Sequence, residues 1–347
     1  KAQKGSKDAW GKALGAAPFT TGTSDKATNA SDSDQLVTGK TLYNYDKPTG
    51  AQNYVKANNT TGQNLSALDA QVKANADTLK DKTHNIKYYS VNDTTLPKVD
   101  NYSNESNDGA KGMGSIAAGF NTHADGIAST VAGSYSGVIN QGTTGSYDLR
   151  GATALSYGTF NINQNTDTSK AVSGVANSII GQANVTQNSN AAIIYGAGNV
   201  VTNSYRDIDT SKVDLSKVKQ DVTKNDIAAV IQDAQTAVPN SGGQVMVMGG
   251  GNTVDKAYMT QVTGVGNTVS GKDSTYAEGT STQYNFIDGF QNELSNGKHD
   301  YIIGSKNKVS GDNVDTNKSN IIFGDNHKLT NQKNNVIIGS SDTADDE

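Results

Sequence analysis

The stretch Tyr301-Ile-Ile-Gly304-Ser-Lys-Asn307-Lys-Val309 contains the unit that decides the fold: a short apolar run that ends in Gly, followed by Gly-x-x-Asn-x-Val. Apolar runs of this kind return from about residue 112 onward, and they end at Gly119, Gly133, Gly158, Gly181, Gly196, Gly249, Gly264, Gly279, Gly289, Gly304, Gly324 and Gly339. Successive glycines are 14, 25, 23, 15, 53, 15, 15, 10, 15, 20 and 15 residues apart. A base period of 14 to 15 residues explains most of these gaps. The longer gaps predict a coil with an insertion, and the 10-residue gap predicts a shortened coil at Tyr276-Ala-Glu-Gly279.

The second half of the unit, Gly-x-x-Asn-x-Val or Leu, recurs with its asparagine at Asn199, Asn252, Asn267, Asn292 and Asn307, while His327 takes that place in the last copy. A period of this length has room for two short strands and two turns. We therefore predict an all-β parallel solenoid in which equivalent strands stack about 4.8 Å apart, so that twelve coils form a rod roughly 55 Å long. Asparagines at equivalent corners can form a hydrogen-bonded ladder, and glycine supplies the positive φ of the corner.

A coil with two strands leaves a flat side that must be covered. Hydrophobic residues make up 34% of the chain, and aromatic residues 6%, which is little for a self-contained core. Several chains packed on their flat sides would complete one another's core, so the repeat itself predicts an oligomer.

Composition also excludes several classes of function. The chain has no Cys, which removes disulfides and zinc–thiolate sites. Its net charge is -5 and its only arginines are Arg150 and Arg206, so we expect no nucleic-acid surface. No apolar stretch approaches the roughly 20 residues of a membrane-spanning helix. There is no signal peptide and the chain begins at Lys1 in mid-pattern, so we interpret it as a piece of a longer protein.

The N-terminal third follows a different pattern. Residues 1–56, with Trp10, are predicted to form a small irregular α+β connector, and residues 57–86 a short coiled coil. The coiled coil is predicted from spacings of three and four in Leu65, Leu68, Val72, Asn75 and Leu79. A chance amphipathic helix is the alternative. At a core position, Asn75 would control register or hold an anion such as chloride on the axis. Residues 87–347 then form the solenoid.

The longest insertion, about residues 202–243, has helical spacing between Lys212 and Val238. A polar excursion on a rigid scaffold is a usual place for binding specificity. It is equally compatible with a solvated decoration or a clamp on a neighbouring subunit. Shorter excursions are expected near residues 136–151 and 160–176.

No catalytic, cofactor or metal site is predicted. Gly-x-Gly recurs at 196–198, 249–251 and 264–266 without the third glycine of a dinucleotide loop, so these glycines are interpreted as corners. The histidines have no paired carboxylate and no metal-ligand spacing, and each is predicted to be a surface side chain: His84, His123, His299 and His327.

Several of these segments resemble the YadA-like head and stalk of trimeric autotransporter adhesins of Gram-negative bacteria. Asn107-Asp-Gly-Ala-Lys-Gly-Met-Gly-Ser-Ile-Ala-Ala-Gly119 resembles the opening of such a head, and Leu36-Val-Thr-Gly-Lys-Thr-Leu-Tyr43 resembles a family connector. Val72-Lys-Ala-Asn75 is similar to the Val-x-x-Asn stalk motif whose asparagines hold anions, although Ala76 replaces the usual Thr. The resemblance implies a left-handed parallel β-roll, a homotrimer, and attachment of a cell to a surface.

The leading hypothesis is accordingly a trimeric adhesin head, exposed outside the outer membrane and reaching it only through an anchor that this sequence does not contain. Its partners would be host matrix, host cells or other bacteria. One alternative is a polysaccharide-active enzyme on a monomeric parallel β-helix, which the short coils and two arginines disfavour. Another is a passive spacer or ice-binding solenoid, which the irregular threonines disfavour.

Overall fold

The structure, a computed structural model, describes residues 53–56, 59–80, 91–92, 97, 104–140, 150–167, 169–170, 173–207, 232 and 243–342. The chain divides into two compact units, residues 1–90 and 91–347. Most of the predicted connector, with Trp10 and the segment Leu36–Tyr43, lies outside the described residues. Across the described ranges, no helix combines the length and the apolar character that crossing a membrane requires.

The described part of the first unit is the helix α1 (Thr61–Lys80). The helix begins with a reciprocal cap, because the Gln63 backbone N–H donates to the Thr60 hydroxyl (3.2 Å) and the Thr60 N–H donates to the Gln63 side chain (2.9 Å). Asn64 adds two hydrogen bonds to the backbone of Lys56. These contacts fix where the helix starts, and Lys80 in its last turn complements the helix dipole.

The second unit is a parallel β-solenoid with two main sheets. The longer sheet has eleven strands: β1 (Ile116–Phe120), β3 (Thr130–Ser134), β5 (Leu155–Thr159), β7 (Ser178–Gln182), β9 (Ile193–Ala197), β11 (Met246–Gly250), β14 (Gln261–Val265), β17 (Phe286–Phe290), β19 (Tyr301–Ser305), β21 (Ile321–Phe323) and β23 (Val336–Ile338). The second sheet has ten: β2 (His123–Ala124), β4 (Gly137–Asn140), β6 (Ile162–Asn165), β8 (Val185–Gln187), β10 (Val200–Thr202), β12 (Thr253–Asp255), β15 (Thr268–Ser270), β18 (Glu293–Ser295), β20 (Lys308–Ser310) and β22 (Lys328–Thr330). Each coil contributes one strand to each sheet, as predicted, except that the last described coil contributes only β23.

The repeated glycines define the register of the longer sheet. Gly249, for example, pairs with Gly196 on one side and Gly264 on the other, at a φ of 126°. A Cβ atom added to Gly249 would lie 1.9 Å from the carbonyl oxygen of Gly264, so any side chain here would collide with the next coil. The glycine is therefore required both by its backbone conformation and by the close approach of successive coils.

One predicted coil is wrong. Gly264 pairs directly with Gly289, so Tyr276-Ala-Glu-Gly279 is not a shortened coil but part of an excursion between β15 and the next strand of the longer sheet. The longer sheet consequently has eleven strands and not twelve. The sequence of residues 276–279 matches the repeat pattern, but these residues form no strand of the longer sheet because β14 pairs directly with β17.

The second residue of each strand points into the solenoid in most coils. In the longer sheet this row includes Ile194, Val247 and Val262, and in the second sheet Val201 and Val254, all nearly or completely buried. Together they belong to one continuous core that runs from Ile179 to Leu329. Residues on either side of this second position point outward, because successive side chains of a strand alternate between its faces.

The corner between the two sheets is an asparagine ladder, as predicted. The side-chain oxygen of Asn199 accepts hydrogen bonds from the backbone N–H (3.1 Å) and side-chain amide (2.9 Å) of Asn252, and the Asn199 amide donates to the carbonyl of Gly249 (2.9 Å). The same pattern repeats along the rod at Asn161, Asn184, Asn199, Asn252, Asn267, Asn292 and Asn307. Each buried amide is thereby satisfied by the coils before and after it.

A third, less regular side closes each coil. It contains the short strands β13 (Ala257–Tyr258) and β16 (Thr282–Gln283), which pair with each other, and isolated parallel bridges that connect Gln283, Lys298, Lys318 and Lys333. The corner between this side and the longer sheet has a second ladder, formed by Asn285, Asp300, Asn320 and Asn335. The solenoid thus has two ladder corners, of which the sequence signature revealed one.

Candidate functional site

The outward side of the longer sheet is an exposed apolar surface, which we call the apolar face. Tyr195 and Ile193 flank the buried Ile194 on one strand, and they are 59% and 49% exposed. The face consists of Ile116, Tyr157, Ile193, Tyr195, Met248, Tyr301, Ile321, Phe323, Val336 and Ile338. It follows the solenoid from its first to its last strand. Monomeric soluble proteins rarely expose an apolar patch of this extent, so the apolar face is the leading candidate for a contact surface.

The register of the sheet brings the residues of the apolar face together. Parallel pairing aligns Ile193 with Met246, Tyr195 with Met248, and Tyr301 with Ile321, so apolar side chains form columns along the solenoid axis. Phe286 and Tyr301 are neighbours in one column, with ring centroids 6.5 Å apart. Polar residues at outward positions interrupt the face, namely Thr130, Ser178, Gln261, Thr263 and Asp288. Backbone hydrogen bonding thereby produces one broad stripe from residues that are distant in the sequence.

The second sheet has a contrasting outward side. Its polar face consists of Thr253, Asp255, Thr268, Ser270, Glu293, Ser295, Lys308, Ser310, Lys328 and Thr330. Lys308 lies 3.7 Å from Glu293 in the preceding coil, and both side chains are about half exposed. The earlier described coils of this sheet place aliphatic residues outward, at Ile139, Ile162, Val185 and Val200, and these are half-buried. The polar face is that of an ordinary solvated sheet.

Three excursions meet on the third side of the solenoid. The Lys170 ammonium donates to the carbonyl of Ser274 (2.8 Å) and lies 4.8 Å from the centre of the Tyr205 ring. Arg206 lies 4.5 Å from the centre of the Tyr276 ring. These contacts join residues 166–176, the start of the long insertion, and residues 271–281. The predicted helix of the insertion, at 212–238, lies outside the described residues except for Gln232.

Two tyrosines near this junction, Tyr258 and Tyr276, have raised pKa values. Burial, followed by the nearby Asp273 carboxylate, raises the pKa of Tyr258, whose hydroxyl donates to the carbonyl of Asp273 (2.8 Å). Burial also raises the pKa of Tyr276. Both hydroxyls are therefore neutral hydrogen-bonding groups at physiological pH.

Asn75 is exposed on α1, where its side-chain oxygen accepts a hydrogen bond from the Gln71 amide (2.8 Å). The other residues of the predicted seam are exposed as well: Leu65, Leu68, Val72 and Leu79. The helix is confirmed, and its apolar seam is uncovered in this single chain. The coiled coil and the axial anion at Asn75 stay predictions.

The interpretation of the histidines as surface side chains is wrong for two of them. His123 is buried, and its Nε2 atom lies 2.6 Å from a carboxylate oxygen of Asp125, a partner that the sequence spacing did not suggest. His327 is also buried, because it occupies the asparagine position of the first ladder and its Nε2 atom contacts the carbonyl oxygen of Gly339 at 2.6 Å. His299 is exposed and stacks on Tyr284, as expected for a surface residue. His84 lies outside the described residues.

The recurring Gly-x-Gly segments are corners, as predicted. Gly198, Gly251 and Gly266 have φ values of 68°, 61° and 70°, and each directly precedes a ladder asparagine. Other copies of the corner use Gln291, Lys306 or Asn326 in the same backbone conformation. Within the ranges that the structure describes, His, Asp and Glu form no group of three that could hold a metal ion.

Sequence reasoning inferred a flat side needing cover but did not identify the apolar face residue by residue. The signal is present, since the runs Ile193-Ile-Tyr195 and Tyr301-Ile-Ile303 are apolar at the outward as well as the inward positions. In a strand with one solvated face, apolar and polar residues would alternate.

Comparisons with known protein families, with curated proteins and with solved structures find no match for this chain.

Proposed function

We propose that this chain is the head of a cell-surface adhesin that acts as a homotrimer, with the apolar face turned toward the shared axis. The observation that carries the proposal is the apolar face, which extends along the whole longer sheet while the polar face is solvated. Burying a large apolar side chain contributes about 1.5–3 kcal/mol. Ten such residues per chain therefore supply a strong driving force for association.

Identical chains are the partner that fits this surface best. Each solenoid has its apolar residues at one coil spacing of about 4.8 Å. Parallel copies can consequently align coil by coil around an axis, and equivalent side chains such as Tyr195 then meet one another. A globular partner has no such periodicity. In the same proposal the coils are left-handed, and the uncovered seam of α1 forms a coiled coil in which Asn75 either sets the register or holds a chloride ion.

The proposed activity is attachment and not catalysis. The partners are host extracellular matrix, host cells or neighbouring bacteria, and the protein is held at the outer membrane of a Gram-negative cell by an anchor elsewhere in a longer chain. The supporting observation is the position of the long insertion. It leaves the rod at Ser204–Asp207 and returns at Gly243, whose N–H donates to the Asn190 carbonyl (2.8 Å), while the Asn190 N–H donates to the Ser204 carbonyl (3.3 Å). The two ends of the insertion are therefore held next to each other by the solenoid.

The trimer is tested by light scattering on the full chain over a range of concentrations. We expect a mass of three times 36.2 kDa. Ile193→Asp, which places a charge on the apolar face, is expected to produce monomers. The matched control is Val200→Asp, which changes an outward aliphatic residue on the second sheet of the same coil and should preserve the trimer. A wild-type chain that is monomeric at every concentration would overturn the trimer.

Attachment is tested separately with beads coated with the full chain and exposed to immobilised matrix proteins, cultured cells or bacteria. The key variant replaces residues 208–242 by a short Gly-Ser linker. A Cβ added to Gly243 would lie 2.3 Å from the Ser204 carbonyl oxygen, so the ends are close enough for such a linker. We expect trimer mass to persist and binding to fall. Reproducible release of sugar from a polysaccharide by the purified protein would instead support the enzyme alternative.

A further inference from the structure

The second ladder of the solenoid contains one carboxylic acid among its amide side chains. At this corner Asn285, Asn320 and Asn335 are amides, while Asp300 is a carboxylic acid, and Asp300 is completely buried. An asparagine in a ladder donates hydrogen bonds through its amide nitrogen and accepts them through its oxygen. An ionised aspartate can only accept.

One oxygen of Asp300 serves as the ladder acceptor. Its Oδ1 atom accepts hydrogen bonds from the backbone N–H of Asn320 (2.9 Å) and from the Asn320 side-chain amide (2.9 Å). The Asp300 backbone N–H in turn donates to the side-chain oxygen of Asn285 (3.0 Å). These are the bonds that an asparagine would make at the same positions, so the carboxyl group has the ladder orientation.

The other oxygen occupies the place of an amide nitrogen. Asn285 donates through that nitrogen to the carbonyl of Gly297 (2.9 Å), and Asn320 donates to the carbonyl of Gln332 (3.0 Å). In Asp300 the equivalent Oδ2 atom is buried and has no hydrogen-bond partner in the described part of the chain. An oxygen at this place in the ladder can donate only as the O–H of a protonated acid, and a carboxylate would leave it buried without a partner.

No cation compensates a charge at this position. The titratable side chains nearest to Asp300 in its own coil are Lys298 and His299, with Tyr284 in the coil before and Lys318 in the coil after. Among the described residues, none of these side chains forms an ion pair with Asp300, since Lys318 pairs with Asp315 at 3.1 Å and His299 stacks on Tyr284. Lys298 interacts with the carboxyl group only through its neutral backbone N–H. The groups that contact the Asp300 carboxyl are neutral amides.

We infer that the second ladder accommodates Asp300 as a protonated acid and is weakened when Asp300 ionises, which makes the C-terminal coils of the solenoid a proton-dependent segment. Burial raises the pKa of Asp300 to about 6 from its usual 3.8, and this agrees with the geometry. Because the folded state then holds a proton that the unfolded chain has released, stability falls as the pH rises from about 4 to about 6 and is level above that range.

The test compares urea unfolding of the full-length wild-type chain with that of Asp300→Asn, which restores the amide of the ladder. We expect similar stability near pH 4 and a more stable variant at pH 7, where the unfolding constant of the wild type should be higher by roughly 100-fold. The matched control is Asp312→Asn, an exposed aspartate of the following loop whose oxygen accepts from the Asn331 amide (3.1 Å), a bond that an asparagine retains. This control should follow the wild-type curve.

A local measurement accompanies the global one. The Asn320 backbone N–H donates to Asp300, so its hydrogen exchange at pH 7 should be slower in Asp300→Asn than in the wild type. Parallel stability curves for the wild type and Asp300→Asn from pH 4 to 7 would overturn the inference. So would a control that shifts the curve as much as the ladder variant does, because the effect would then be one of net charge. The inference does not depend on the proposed adhesin function, since a monomeric solenoid would show the same titration.

Discussion

The two main sheets of the solenoid are alike on the inside and different on the outside. Inward, both have a row of buried aliphatic residues, such as Ile194 in one sheet and Val254 in the other. Outward, the longer sheet has the apolar face and the second sheet has threonine, serine, lysine and acidic residues along most of its length. The difference is informative because coil stacking itself makes no demand on the outward positions.

Folding explains the inward rows, since they form the core of each coil. It does not explain an outward tyrosine or isoleucine in coil after coil, because a solvated sheet folds equally well with polar residues there. Folding of the single chain therefore does not account for the apolar face. Contact with further copies of the chain, as we propose, would account for it.

The largest expected effects come from the inward rows. Ile194→Ala should lower the free energy of unfolding by about 2–5 kcal/mol, because it leaves a cavity in a completely buried position. Val201→Ala, its counterpart in the second sheet, should lower it by a smaller amount, roughly 1–3 kcal/mol, because fewer atoms are removed. Urea unfolding measures both. An unchanged free energy for either variant would contradict a core shared by the two sheets.

The corner between the faces should come next. Asn199→Ala removes the amide that donates to Gly249 and Asn184 and the oxygen that accepts from Asn252. We expect a loss of about 2–4 kcal/mol, since buried backbone groups in two coils lose their partners. Chemical denaturation is the measurement, with Thr253→Ala as the control, an exposed residue of the polar face close to the same corner. Equal effects of the two substitutions would show that the ladder contributes nothing.

The apolar face itself should respond weakly in a single chain. Tyr195→Thr is expected to change the free energy of unfolding of the dilute monomer by less than about 1 kcal/mol, because the ring is 59% exposed. The same substitution should lower the oligomer fraction in light scattering at fixed concentration. A large loss of monomer stability without any change in mass would mean that the face serves folding and not association.

The polar face should give the smallest effect. Glu293→Gln removes the ion pair with Lys308. The side chains of Glu293 and Lys308 are both about half exposed. Exposed pairs contribute about 0.2–1 kcal/mol at most, and salt screens them, so the expected change in thermal stability lies at the lower end of that range. Calorimetry at low and high salt measures it. A change comparable to that of Asn199→Ala would show that the polar face is not simply solvated.

The fold was largely readable from the sequence because the repeat is local. Each coil contains its own apolar run, its glycine and its corner asparagine, so the period, the two strands per coil and the ladder all followed from the spacing. The same reasoning produced the error at Gly279, since Tyr276-Ala-Glu-Gly279 fits the local pattern but lies outside the register that pairs Gly264 with Gly289.

The candidate site was less readable for the same reason. Whether a side chain is buried depends on the coils before and after it, which are 15 to 53 residues away in the chain for the ladder bonds of Asn199. His327 was misjudged because its burial follows from its ladder position and not from its neighbours in sequence. His123 was misjudged because its partnership with Asp125 depends on how the first coil turns.

By itself, then, the sequence determined the solenoid, its two-stranded coils and the asparagine corner, because those features repeat within a span that one period contains. Tertiary structure alone decided which apolar residues are left uncovered, which segments are passed over by the register, and that Asp300 replaces an amide in a second buried ladder. These depend on stacking, which brings together residues from different coils and removes some of them from water.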